Sequence, residues 1–268
     1  MKIGIIGIGV VGTAVYESLK IKCLSTNCQV VAYDKYKNIG TFEDMLDTNM
    51  VFLCLPTLYN YDTAQYDKSA IHQICTDLKK NDYLGLVVIK STVEPTTSQE
   101  IANKYELSIM HNPEFLSAKT AYEDFHTQKH IVIGTTKQTR AEHVKEIVCL
   151  FEKFYPDAEI SMCSSTESES IKIFCNNFYS VKIQFFNELF LLCQKLDTNY
   201  DLIKTIMLKN KWINPMHTSV PGPDSKLSYG GMCFPKDTNA LFSFMKLHNT
   251  PCKLLESTIT ERNSLRDD

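Results

Sequence analysis

The densest chemistry in this chain lies in Gly230-Gly231-Met232-Cys233-Phe234-Pro235-Lys236-Asp237. Two glycines allow a turn, and the proline can open a helix, so the thiol of Cys233 falls at a helix start. The helix dipole and the neighbouring Lys236 both favour thiolate, the nucleophilic form. Asp237, one turn further on, falls on the same side. Upstream, Lys172 and Asn176 stand one turn apart in a long apolar stretch. On an outward face they would be ordinary solvated residues. On an inward face they make a cation and an amide aimed at a common point.

A second set opens the chain. Residues 2–6 (KIGII) read as a short buried strand, followed by Gly7-Ile8-Gly9-Val10-Val11-Gly12, a helical stretch (TAVYESLKIK), and a second strand ending at Asp34. Each part of this arrangement has a physical task. Gly7 permits the tight turn, Gly9 lets a pyrophosphate approach the backbone, and Gly12 allows close packing of helix on strand. The helix start faces the phosphates, and Asp34 accepts hydrogen bonds from the adenosine ribose. A carboxylate there repels a 2′-phosphate, so the pattern points to NAD rather than NADP.

The elements that must position these residues follow from the alternation of pattern. Strands are expected at 50–56, 84–92, 107–115, 130–134 and 158–161, with helices at 65–80, 96–105 and 137–153 between them. That order implies an α/β, Rossmann-like, doubly wound parallel sheet with ligands at the carboxyl ends of its strands. Polar or turn-forming residues close three of those strands: Pro56-Thr57, Ser91-Thr92 and Asn112-Pro113-Glu114. From Ser164 the pattern becomes helical. Ser164-x-x-Glu167 is a capping box opening a long central helix, then comes a helix at 199–209, an irregular stretch rich in proline and glycine, and the helix at Pro235. We therefore read an NAD-binding domain at 1–164 and an α-helical domain at 165–268.

Composition excludes several classes. With 44% apolar and 22% charged residues and a net charge of −3, the chain offers no electrostatic footprint for nucleic acid or an anionic membrane. Its glycine-spaced apolar start is too short to span a bilayer, and we read it as a strand and turn rather than an export signal. The ten cysteines contain no CxxC pair, so we expect no metal site, no disulfide framework and a cytoplasmic location. The apolar helix at 171–192 is too hydrophobic to leave bare, and we expect a homodimer through 165–195.

Taken in order, GIGVVG (7–12), CLPT (54–57), KSTVEPTT (90–97), NPEFL (112–116), ESESIKIFCNNFYSVKIQFFNEL (167–189) and GGMCFPKD (230–237) resemble the nucleotide-sugar dehydrogenases, the UDP-glucose 6-dehydrogenase family. The resemblance implies four-electron oxidation of a sugar nucleotide, UDP-glucose foremost, at C6 to the uronic acid. It makes Cys233 the carrier of a thiohemiacetal and then a thioester, and it gives Lys172 and Asn176 the developing oxyanion. Thr92, Glu114 and Asp237 would handle the proton and the hydrolytic water. NAD would be held by Gly7, Gly9, Val10, Val11, Gly12, Asp34, Lys35, Leu55, Pro56, Thr57, Ser91, Thr92 and Lys236. The sugar nucleotide would meet Glu114, Phe115, Leu116, Lys172, Asn176, Tyr229 and Gly230.

The chain departs from the family pattern in four places. Ala118-Lys119 replaces the usual Glu-Gly, no arginine precedes His217, the loop VPGPDSKLSYGG is long, and the family's further nucleotide-binding α/β domain does not follow within the 268 residues. Two other readings remain open on this sequence. One is a non-catalytic homologue that binds NAD or sugar nucleotide, or regulates a partner. The other is a two-electron, 3-hydroxyacid-type dehydrogenase with no task for Cys233.

Overall fold

A computed structural model describes residues 1–268, which form two compact units: residues 1–58 with 66–172, and residues 59–65 with 173–268. In chain order the elements of the first half are β1 (Lys2–Ile6), α1 (Val10–Cys23), β2 (Gln29–Tyr33), α2 (Glu43–Leu46), β3 (Met50–Leu53), the short ribbon strands β4 (Tyr59–Asn60) and β5 (Gln65–Tyr66), α3 (Ser69–Lys80), β6 (Leu86–Ile89), α4 (Thr97–Tyr105), β7 (Ile109–His111), α5 (Ala121–His126), β8 (His130–Thr135), α6 (Ala141–Phe154) and β9 (Glu159–Ser164). Then come α7 (Ser165–Lys195), α8 (Tyr200–Leu208), α9 (Phe234–Leu247) and α10 (Lys253–Leu265). The change of sequence pattern at 164/165 coincides with the start of α7. The division into compact units falls inside that helix, at Lys172.

The first unit is built on a seven-stranded sheet in the order β2-β1-β3-β6-β7-β8-β9. Helices cover both faces, so the strands are apolar on both sides rather than alternating. In β3, Met50 and Phe52 join one core with Ile3, Ile5, Val15 and Phe151. Val51 and Leu53 point the other way, into a core with Ile71, Val87 and Ile101.

The sheet is Rossmann-like, but one pairing corrects the all-parallel expectation. β7 and β8 run antiparallel, with Met110 opposite Thr135 and His111 opposite Gly134. A parallel neighbour needs a crossover that carries the chain back along the sheet. Here the link contains only α5, six residues long and about 9 Å by helical rise, and β8 starts from the edge where β7 ends.

The second unit is helical. Phe186, Cys193, Tyr200 and Val220 form its small core, with Leu189, Phe190, Met207 and Leu227 packed around them. The capping box at the head of α7 forms as expected. Ser164 N and Oγ donate to Glu167 Oε2 at 2.8 and 2.7 Å, and Glu167 N donates back to Ser164 Oγ at 3.3 Å. No helix of the chain is long and apolar enough to cross a membrane.

Candidate active site

Each unit carries one set of candidate residues. In the first, β1 ends at Gly7, whose φ of +89° is left-handed and whose added Cβ would lie 2.6 Å from the Cys54 carbonyl oxygen. A Cβ on Gly12 would come within 1.8 Å of the Gly7 carbonyl oxygen, so only glycine lets α1 start this close to the strand. Gly9 differs from both, since a Cβ there would meet nothing within 4 Å. It faces an open cleft of ≈ 500 Å³ lined by Gly9, Val10, Thr13, Lys37, Ala118, Lys119 and Tyr122. Two of those residues, Ala118 and Lys119, stand where the family pattern has Glu-Gly.

Asp34 accepts from the Ile8 N–H at 2.8 Å through one oxygen and from the Tyr36 and Lys37 N–H groups, both at 3.0 Å, through the other. Burial pulls its carboxyl upward, but those bonds and the Lys37 charge outweigh burial and hold it below the ordinary range. It remains a carboxylate with lone pairs to spare for hydroxyl donors. The glycine turn, the open face at Gly9 and the ionised Asp34 fit a dinucleotide. Lys35 is exposed on the loop beyond.

The polar strand ends are tied to one another. Ser91 Oγ accepts from Leu55 N at 3.0 Å and donates to Leu55 O at 2.7 Å, and Thr57 Oγ1 donates to Thr92 O at 2.7 Å. Leu55, Pro56, Thr57, Ser91 and Thr92 therefore form one braced edge. Glu114 stands beside it, with Oε2 accepting from Leu116 N at 2.6 Å and Oε1 3.2 Å from Lys172 Nζ. Lys172 also lies over the Phe115 ring, 5.4 Å from its centroid. The open question about the Lys172–Asn176 face is answered: both side chains are buried, at 5% and 6% exposure.

Three buried groups in this unit escaped sequence reading. Lys90 closes an otherwise apolar strand and donates to Asn112 O at 3.1 Å and Asn112 Oδ1 at 2.8 Å. Burial pushes its ammonium down to about 8, opposed by Cys54 and Glu114. Glu169, also fully buried, accepts from Thr96 N at 2.8 Å and Ser98 N at 2.7 Å and so caps α4, and burial pushes its carboxyl up to about 7. His111 meets Ser168 Oγ at 2.8 Å, and burial pushes its imidazole down to about 3, so it is neutral. The one signal in the sequence was a lysine within the otherwise apolar strand expected at 84–92.

In the second unit Cys233 is the N-cap of α9, with Pro235 in the first turn, and its thiol is exposed. Gly231, at φ +76°, makes the left-handed turn that leads to it. Asp237 is fully buried. Its Oδ2 accepts from Asn176 Nδ2 at 2.6 Å, its Oδ1 lies 2.6 Å from Lys236 Nζ, and its carbonyl accepts from Asn177 Nδ2 at 3.0 Å. Phe234, beside the thiol, packs edge-on against His217 and Tyr179, with centroids 5.7 and 6.4 Å away.

The structure thus brings Asn176 and Asp237 together, and Glu114, Phe115 and Lys172 together. It puts the Tyr229 ring in the core, its hydroxyl 3.4 Å from Thr238 Oγ1, so the ring itself is closed off from a ligand. No group of three or more His, Cys, Asp or Glu side chains is placed to hold a metal ion.

A doubly wound unit with an NAD-type glycine turn, followed by a helical unit bearing a thiol at a helix start, defines the NAD-binding dehydrogenase class. Comparison with known proteins narrows the class. Residues 28–154 match the NAD binding domain, and residues 166–264 the central domain, of the UDP-glucose/GDP-mannose dehydrogenase family. The chain belongs to that family. It is 32% identical over 219 residues to the UDP-glucose 6-dehydrogenase of Rickettsia prowazekii, covering 78% of this chain and 45% of that protein.

Among solved structures, a UDP-glucose dehydrogenase from Pyrobaculum islandicum superposes with a TM-score of 0.85 at 22% identity, covering 98% of this chain and 68% of that one. The 3-hydroxyisobutyrate dehydrogenase of Mycobacterium tuberculosis shares the fold at a TM-score of 0.77 and 15% identity, with 98% and 92% covered. The chain spans about half the length of the curated relatives it matches.

Proposed function

We propose that this chain carries the chemistry of NAD-dependent, four-electron oxidation of a nucleotide sugar, UDP-glucose first among them, at C6 to the uronic acid. One observation carries the reading: an exposed Cys233 thiol capping α9 after a left-handed glycine turn, with buried Asp237 in the first turn hydrogen-bonded to Asn176. When bound, NAD+ accepts a hydride from C6 in each of the two oxidations. The side chains do the rest.

In the first oxidation Asp237, Glu114 and Thr92 take up and relay the proton of the C6 hydroxyl. The Cys233 thiolate then adds to the aldehyde carbon. A C–S bond forms, the carbonyl π bond breaks, and the oxygen becomes an oxyanion stabilised by Lys172 and Asn176. Loss of the second hydride leaves a thioester. Water, positioned by the same carboxylates, adds to that carbonyl, the C–S bond breaks, and Cys233 departs as thiolate. Lys236 adjoins the cofactor in this reading, Phe115 and Leu116 the sugar nucleotide, and the backbone at Tyr229 and Gly230 its sugar.

The same proposal includes a homodimer through α7. Phe174, Phe178, Phe185, Leu192 and Leu196 are all at least half exposed and follow one another at helical spacing. A contiguous apolar stripe on a monomer marks an interaction surface. The proposal keeps the cytoplasmic location expected from the cysteine pattern of the sequence.

The test is stoichiometry. UDP-glucose with NAD+ yields two NADH per sugar consumed, and Cys233→Ser stops the reaction at or before the aldehyde. One NADH per substrate, indifferent to Cys233, would refute the four-electron reading in favour of hydroxyacid-type chemistry. NAD binding without turnover on any of a panel of sugar nucleotides would make the chain a binding module.

A further inference from the structure

We infer that Arg262 and Arg266 are positioning residues for Cys233: they clamp the backbone from Leu227 to Gly230 and so set where the Gly231 turn delivers the thiol. The inference rests on the reading of Cys233 as the acyl carrier. The segment between α8 and α9 has no helix or strand ladder to satisfy its backbone, yet Ser228 and Tyr229 are buried. Buried carbonyls without a ladder need other donors. Arginine, with five N–H groups in a rigid fork, can satisfy several at once.

Three successive carbonyls are met in this way. Arg266 Nη1 donates to Leu227 O at 3.2 Å and Ser228 O at 3.3 Å, and Arg262 Nε donates to Tyr229 O at 3.2 Å. The next residue is fitted to the clamp by its lack of a side chain. A Cβ on Gly230 would lie 2.2 Å from Arg266 Nη2. From the α7 side, Asn187 Oδ1 accepts from Ser228 N at 2.8 Å and Gln184 Oε1 from Ser228 Oγ at 2.5 Å.

Both arginines are over nine-tenths buried, and carboxylates balance them. Asp224 Oδ2 lies 2.6 Å from Arg266 Nη2, and the Asp268 side chain takes Arg266 Nε and Nη2 at 2.6 and 2.8 Å and Arg262 Nη2 at 2.9 Å. Past Gly230 the chain is next held at Cys233, whose carbonyl accepts from Asp237 N at 3.0 Å as α9 begins. A Cβ on Gly231 would meet nothing within 4 Å, and Met232 and Cys233 are exposed. The thiol therefore stands between two fixed points, the arginine clamp and the start of α9, joined by a short glycine turn.

The experiment compares the full chain with Arg266→Gln, Arg266→Lys and Gly230→Ala, the last chosen because its Cβ pushes the guanidinium away with both arginines retained. Amide hydrogen exchange and NADH stoichiometry are read together. In all three variants, exchange at 227–231 is expected to rise at least tenfold while α7 and α9 keep their protection. The kcat for sugar-nucleotide oxidation is expected to fall at least tenfold with NAD+ affinity unchanged, since neither arginine nor Gly230 is among the residues read as holding NAD.

Unchanged exchange at 227–231, full recovery in Arg266→Lys, or a loss of protection spread through the whole unit in every variant would each overturn the clamp. If Arg266→Gln does not fold, Gly230→Ala decides alone. If the wild-type chain oxidises no sugar nucleotide, the functional reading falls, while the exchange measurement still decides the clamp.

Discussion

Lys172 and Glu114 offer the sharpest test of how the first unit holds its charges. Their side chains are 6% and 11% exposed, and Nζ and Oε1 are 3.2 Å apart. At an effective dielectric of about 20 the bare attraction at that distance is about 5 kcal/mol, most of it offset by the desolvation of both groups. The pair as a whole is worth little, but either half alone is a buried charge that has lost its nearest balancing partner. Lys172→Met or Glu114→Gln alone should therefore cost about 3–5 kcal/mol, and the double variant should lie within about 1 kcal/mol of wild type.

In a unit of this size each kcal/mol moves the midpoint by roughly 2–4 °C, so the single variants should melt roughly 10 °C lower. Thermal and urea unfolding of the four proteins closes the double-mutant cycle. Activity is lost in all three variants and is not the readout. Additive losses, with a coupling energy below about 0.5 kcal/mol, would refute the claim that the two charges balance each other.

Three other outcomes follow from particular contacts. Gly12→Ala drives a Cβ toward the Gly7 carbonyl oxygen, so NAD+ binding measured by calorimetry should drop at least tenfold, and wild-type affinity would refute the close-packing reading. Glu169 keeps its proton up to about pH 7 when folded, against an ordinary 4.5, so the folded chain binds more protons than the unfolded one between those values. Stability relative to Glu169→Gln should therefore fall as pH rises through that window, by on the order of 3 kcal/mol, and a pH-independent difference in urea unfolding would contradict it. Phe178→Glu, at a side chain 64% exposed on α7, should shift a dimer to monomer in sedimentation, and a wild-type protein already monomeric would remove the α7 interface.

Much of the fold was legible in the sequence because its signals are local. The glycine turn, the strand that precedes it and Asp34 lie within one βαβ stretch, and each acts on neighbours a few residues away. The capping box at Ser164–Glu167 is a contact across one helical turn, so its residue types alone announced it. The exposed thiol at the start of α9 followed in the same way from a glycine pair, a cysteine and a proline. The direction of β8 was not legible, since a strand of apolar residues reads alike whichever way it pairs. Only the link through the six-residue α5 decided that it runs against β7.

The partners of the candidate residues were equally hidden. Helical spacing put Lys172 and Asn176 on one face without saying that the face is buried, or that one would meet Glu114 and the other Asp237. Lys90 stood out only as a lysine within an apolar strand, with no sign that burial lowers its ammonium to about 8. Arg262 and Arg266 carried no signal in the sequence, yet they hold three carbonyls more than thirty positions earlier in the chain. By itself the sequence determined the main strands and helices, the NAD-type turn, the family and the thiol, because these depend on backbone conformation and on side chains within a turn of one another. The tertiary structure alone decided which charges are buried, what balances them and what fixes the path to Cys233, because desolvation and charge pairing depend on residues that only folding brings together.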